Sequence, residues 1–259
     1  MASVMASQAP LVGPPSMSGL IKRLRAFTTC DVGDTLIRLG DKRGAYLYGL
    51  SPMVPGTPTE PGKPWNICGK VVTIRMCPYG GGLGPKLKPF VEYNEAGKIM
   101  VIETPDGQSG KYSACWGGIE SLRAKIIGAQ GVIVSGNMRE VDDCREVGLP
   151  VLSRGVAALG AKQFMRLGKV NELITINGIK VRPDDVVLAD AHGAVVVQKI
   201  RLEKVIEMCE LRAQQKRLVR KDIENRKTMG DAIEHVRRRF GDPYDTFERN
   251  PRSTPVSTA

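Results

Sequence analysis

Two glycine-bearing segments hold the residue types best suited to chemistry. The first, Gly117-Gly118-Ile119-Glu120, precedes a run of helical periodicity and reads as a helix start. The second, Gly136-Asn137-Met138-Arg139-Glu140, follows the β-branched run Val132-Ile133-Val134. Glycines at a helix start let an anion come close to the backbone, and the unpaired N–H groups and dipole there favour negative charge. Arg139 adds a planar guanidinium fork that suits a carboxylate or an oxyanion. The residues alone also admit a plainer reading, a glycine helix start beside a surface Arg139-Glu140 pair. Asp142 and Asp143 open the next short helix, where their charge suits its dipole, with an outer position near a cation as the alternative.

The elements that must position these residues follow from periodicity. Leu20 to Leu39 reads as two short helices broken at Thr28 to Asp31. Ser51 to Asn66 carries Pro52, Pro55, Pro58, Pro61 and Pro64, a density that excludes helix interiors and central strands and predicts a loop or flap. Strands are expected at 67–76, 98–103, 131–135 and 150–153, helices at 117–127 and 141–147, and a glycine-rich loop at 79–85. That alternation predicts an α/β core with part of its sheet parallel. Four close-set strands follow at 172–176, 179–181, 185–189 and 194–198, with Asn177-Gly178 as a hairpin turn. A charged helix then runs from Arg201 to about Arg239, interrupted near Met229-Gly230.

The 259 residues are 42% hydrophobic and 25% charged, which excludes disordered, collagenous and coiled-coil classes. No apolar run approaches the ~18 residues that cross a bilayer. Six cysteines without a Cys-x-x-Cys spacing argue against a zinc knuckle or a disulfide framework and predict reduced thiols in a cytoplasmic protein. The net charge of +11 is concentrated at residues 201–239, where 12 basic and 7 acidic side chains give +5. With no aromatic residues interleaved, that stretch reads as a solvated face; neither nucleic acid nor a membrane is an expected partner. Residues 1–19 are expected to be a disordered leader, 20–200 a single domain, 201–240 a helical extension and 241–259 a tail.

The run Trp116-Gly-Gly-Ile, Gly128-Ala-Gln-Gly131-Val-Ile-Val-Ser-Gly-Asn-Met-Arg139-Glu140-Val-Asp-Asp, then Leu149-Pro150-Val151, Arg154-Gly155 and Val181-Arg-Pro-Asp-Asp185 through Ala189-Asp190-Ala-His-Gly193, closely resembles the regulator of ribonuclease activity A family. That family includes the class II 4-hydroxy-4-methyl-2-oxoglutarate aldolases, and the resemblance covers about residues 20 to 210. It implies a swivelling β/β/α fold assembled as a homotrimer, sometimes doubled to a hexamer, with sites between subunits. It also implies that Gly117, Gly118, Ile119 and Glu120 bind substrate, that Arg139 binds a 2-oxo acid and is the catalytic residue, and that Glu140 holds Mg²⁺ or Mn²⁺. Two positions depart from the family pattern. Glu140 stands where the metal-holding residue is aspartate, and Gly118 where many members carry Asp or Glu, a proton-transfer role that Glu120 could take instead.

The activity implied is carbon-carbon cleavage of a 2-oxo acid. Retro-aldol cleavage of a 4-hydroxy-2-oxo acid and decarboxylation of oxaloacetate both leave pyruvate enolate, so one Lewis acid serves both reactions. The alternatives are a non-catalytic oligomeric regulator or scaffold, and a tailoring lyase for a larger natural-product acid with the proline-rich segment as its lid. His192 is expected in a turn, His235 on a solvated helix face, Trp116 as a packing wall, and Lys86 and Lys88 as solvated loop residues.

Overall fold

The structure, a computed structural model, describes residues 15–58, 62, 64–80 and 88–241. Two helices open it, α1 (Met17–Leu24) and α2 (Thr29–Arg38). Thr28 separates them with a reciprocal cap: its hydroxyl accepts the Asp31 N–H at 3.1 Å, and the Asp31 carboxylate accepts the Thr28 N–H at 3.1 Å. Helix α1 starts at Met17, inside the stretch expected to be a leader, because Ser16 caps it. The rest of that leader and the tail beyond Gly241 lie outside the described residues, as does most of the glycine-rich loop including Lys86.

An alternation of strands and helices follows: β1 (Ser51–Val54), β2 (Ile67–Pro78), β3 (Ile99–Glu103), α3 (Gln108–Tyr112), β4 (Ser113–Trp116), α4 (Gly118–Ile127), β5 (Gly131–Met138), α5 (Val141–Val147) and β6 (Val151–Val156). Then come β7 (Leu159–Gly160), β8 (Met165–Val170), β9 (Ile174–Ile176), β10 (Ile179–Val181), β11 (Val186–Asp190) and β12 (Gly193–Val197), and finally α6 (Leu202–Glu224) and α7 (Met229–Phe240). Among the described residues the main sheet runs β1-β6-β5-β3-β2-β11-β12, with β4 and β7 added beside β5, and β8 beside β2. Strands β2, β3, β5 and β6 are parallel, and the sheet curls into a nearly closed barrel. This is the mixed α/β architecture expected from the sequence.

Strand β3 and the first half of β5 read as unbroken apolar runs because both faces are buried. On β3, Ile99 and Val101 enter one core with α1, α2 and α6, while Met100 and Ile102 enter the other with α4 and α5. Each such side chain stabilises the fold by about 1.5–3 kcal/mol.

Three expectations need correction. The proline-rich segment is not wholly loop: among the described residues β1 pairs only with β6, so Pro52 sits on an edge strand where its missing N–H is tolerated. The C-terminal helical extension itself is as expected, a long α6 and a shorter α7 parted at 225–228, just before Met229-Gly230, where Arg226 adopts a positive φ and Thr228 caps α7. Its face is not simply solvated, since Leu202, Val205, Ile206 and Cys209 recur at helical spacing and bury against α1 and α2. Nor is His235 free on that face, because its Nδ1 lies 2.5 Å from the buried Asp222 carboxylate, which Lys227 also meets at 3.0 Å. The strands β4 and β8 and the short α3 were not evident in the periodicity.

Candidate active site at the start of α4

Strand β4 delivers the chain to Gly117, which takes an extended conformation and caps α4 without a side chain. Strand β5 delivers it to Arg139, whose N–H donates to the Trp116 carbonyl at 2.9 Å. The two strand ends are thereby joined, and Glu140 turns back over the α4 start. Glu140 adopts φ 53°, ψ 50°, a left-handed conformation uncommon for a residue with a side chain. In this pose its Oε2 accepts the Gly118 N–H at 3.0 Å and its Oε1 lies 3.2 Å from the Arg139 guanidinium. Both side chains remain partly open to solvent, so the ion pair contributes little to stability and leaves Arg139 accessible.

Both glycines sit close against their neighbours, Gly117 against the movable carboxylate ends of two glutamates and Gly118 against the stem of Asp143. A Cβ on Gly117 would stand 2.8 Å from Glu140 Oε2 and 3.4 Å from Glu120 Oε2. A Cβ on Gly118 would stand 2.8 Å from the Asp143 Cβ. This explains why no acid occupies position 118: α5 packs so closely on the α4 start that any side chain there meets Asp143. Carboxylates nonetheless lie beside the glycine pair, Asp143 and Glu140 at position 118 and Glu140 and Glu120 at position 117.

The predicted residues divide by what they can offer. Gly117, Gly118, Glu120, Arg139 and Glu140 converge. Ile119 points its side chain outward at 78% exposure, so it can contribute only backbone. Together with Leu122 and Ile126 it lines an apolar groove of about 650 Å³ that begins at Gly118 and Asp143. Lys88 is held locally, donating to the Glu92 carbonyl and lying over the Tyr93 ring. His192 sits in the β11–β12 turn, where its N–H donates to Asp190.

A buried support was not foreseen. Trp116 Nε1 donates to Ser121 Oγ at 2.8 Å, and Ser121 Oγ lies 3.4 Å from Cys144 Sγ, bracing α4 against α5. Ser121 falls one helical turn beyond Gly117, the only trace of this in the sequence. Burial pushes the Cys144 thiol up, with Glu140, Asp143 and Glu120 adding to the effect. Burial likewise pushes Cys68 and Cys115 up to about 12, so none of these is a ready nucleophile.

Comparison with known proteins places these features in a family. Residues 29–196 match the family described as RraA-like, Aldolase/RraA. An uncharacterized protein of Methanocaldococcus jannaschii is 29% identical over 168 residues, covering 64% of this chain and 77% of that one. A Halalkalibacterium halodurans protein named "Putative 4-hydroxy-4-methyl-2-oxoglutarate aldolase" is 30% identical over 111 residues, 43% of this chain. The chain spans about half (51%) of that relative's length. The fold matches Streptomyces coelicolor RraAS2, described as an unusual member of the RNase ES inhibitor RraA family, with TM-score 0.67 and 22% identity over 80% of this chain and 97% of that one.

Proposed function

This chain belongs to the Aldolase/RraA family, and we propose that within it the protein is a divalent-metal-dependent carbon-carbon lyase acting on a small 2-oxo acid. The observation that carries the reading is the convergence of the Arg139 guanidinium, the Glu140 carboxylate and the glycine-led start of α4. Arg139 grips the substrate carboxylate by its fork, and the open amides of α4 add donors at the same end. Glu120, whose carboxylate lies beside Gly117, is the group that would accept the proton of a 4-hydroxyl, the task Gly118 cannot perform.

The donor set fits Mg²⁺ or Mn²⁺. It consists of hard carboxylate oxygens, and each Glu140 oxygen keeps a lone pair beyond the one it uses. Among the described residues no three His, Cys, Asp or Glu side chains close into a cage, so Glu140 would hold the ion with water, and Glu120 and Asp143 would lie outside. When bound, such an ion supplies Lewis-acid polarisation of the 2-oxo oxygen. Charge that develops on the retained fragment is also met by Arg139 and by the α4 amides, preorganised by the Arg139-to-Trp116 hydrogen bond.

The exposed Ile119, Leu122 and Ile126 beside the site support assembly as a homotrimer or hexamer in which a neighbouring copy covers the groove. No helix among the described residues is long and apolar enough to cross a membrane. The test is oxaloacetate decarboxylation with Mn²⁺, with and without chelator. Enzyme-dependent turnover abolished by chelator is expected. Turnover no greater than that of the metal alone refutes the lyase reading for this substrate and favours the scaffold, in which the internally engaged Glu140 is structural.

A further inference from the structure

A second cavity, sharing no residue with the proposed active site, lies where the end of α2, the 40–45 loop, the β9–β10 turn and the end of β12 meet. Its volume is about 280 Å³. Its rim carries four cations, Lys42, Arg43, Lys180 and Arg201, against a single acid, Asp41. None of the four has a carboxylate partner among the described residues, unlike the paired cations elsewhere on the surface, such as Arg23 with Glu210 and Arg123 with Glu92. Asp41 does not neutralise them, because its Oδ1 is engaged by the Arg43 and Ala45 N–H groups at 3.0 and 3.2 Å, which hold the loop in its turn.

The two guanidiniums are preorganised by carbonyls rather than by acids. Arg43 Nη1 donates to the Asn177 carbonyl at 3.0 Å, and Arg201 Nη2 donates to the Leu39 carbonyl at 2.9 Å. Each keeps its full charge and its remaining N–H donors for a ligand. Gly178 is needed for this arrangement: its φ is +80°, and a Cβ there would collide with the Arg43 guanidinium. The loop is also pinned to β12, where Val196 N–H donates to the Ala45 carbonyl and Leu47 N–H to the Ala194 carbonyl. The cations therefore sit on a rigid frame, and the wall between them is apolar, formed by Leu36, Ala45, Ile179 and Val196.

We propose that this cavity binds a small phosphomonoester. Clustered arginines and lysines without counter-acids suit a dianionic phosphate, which accepts the guanidinium fork and two lysine point charges. The volume, about 280 Å³, lies near the low end for small-molecule pockets, ~300 Å³, and leaves room beyond a bare phosphate for a sugar-sized body beside the apolar wall.

Isothermal titration calorimetry on the full chain at fixed ionic strength tests this with ribose 5-phosphate, inorganic phosphate and ribose. Ribose 5-phosphate should bind saturably, phosphate about 10-fold more weakly, and ribose not at all. The exposed-lysine double variant Lys42→Ala/Lys180→Ala should weaken ribose 5-phosphate at least 10-fold with an unchanged melting temperature, and Arg139→Ala should leave it unaltered. The proposal is overturned if ribose 5-phosphate gives no saturable heat, or if the double variant binds it normally. It is equally overturned if phosphate binds as tightly, making this an inorganic-ion site, or if only a single-stranded RNA oligonucleotide responds to the variant.

Discussion

Substituting Gly118 by alanine isolates the packing that removes an acid from the α4 start. Gly118 is the first residue of α4 and has no positive φ, so alanine suits its backbone and any penalty is one of space. The added Cβ would stand 2.8 Å from the Asp143 Cβ, about 1 Å inside the ~3.5–4.0 Å optimum for two carbons. Relief requires α5 to shift relative to α4, while Trp116, Ser121 and Cys144 brace the two helices on their buried side. Overpacking of this kind costs about 1–3 kcal/mol, and the helix preference of alanine returns up to ~1 kcal/mol. A net loss of about 1–2 kcal/mol should lower the melting temperature by about 2–8 °C. Urea unfolding of Gly118→Ala, Asp143→Gly and the double variant measures it as a cycle. Asp143→Gly removes the opposing Cβ, so the cost of alanine at 118 should vanish in that background. An alanine variant as stable as the natural sequence, or a cost that persists in the Asp143→Gly background, would refute the steric account and reopen position 118 to an acid.

Further expectations follow from the same geometry. Arg139→Ala should abolish turnover with little change in urea midpoint, since this half-exposed guanidinium buries no core area; Arg139→Lys should recover little, as a point charge cannot reproduce the fork. Aggregation of both variants would instead make Arg139 structural. The hydrogen bond with His235, aided by Lys227, holds the Asp222 carboxyl below its ordinary range. Its contribution to docking α7 is therefore present above the ordinary carboxylate pKa of ~4 and lost as pH falls through the lower folded value. The gap in urea midpoint between the natural sequence and Asp222→Asn should be full at about pH 5 and shrink as pH falls below ~4; a gap that does not shrink contradicts the latch. Iodoacetamide near pH 8 should label the exposed Cys30 in the native protein well before Cys68, Cys115 or Cys209, whose thiols burial pushes up to about 12, 12 and 11, and early labelling of those three would show that α1, α4 and α6 open readily. Light scattering should give a trimer or hexamer, and a monomer would remove the support for a site covered by a neighbouring copy.

Local patterns in the sequence determine much of this protein. The β-branched runs at 67–76, 98–103 and 131–135 specify strands because each residue type fits a pleated, doubly buried surface, and Thr28 with Asp31 specifies a helix start through a contact three residues long. The spacing of Gly117, Arg139 and Glu140 marks the candidate site for the same reason, since each lies at the junction of a legible strand and helix. Other features depend on contacts distant in the chain. Strands β4 and β8 carry weak patterns of their own and exist because β5 and β2 offer edges to pair with. The buried charge of Asp222 is acceptable because α7 folds back to bring His235 to it, beside Lys227 from the junction between α6 and α7. The absence of an acid at 118 looks like a defect in the sequence, yet it follows from the nearness of Asp143 on α5. The cationic cavity is likewise invisible along the chain, because Lys42, Arg43, Lys180 and Arg201 come together only when a loop, a hairpin and a strand end pack against α2. Tertiary packing alone decides such groupings, because charge and volume act through space and not along the sequence.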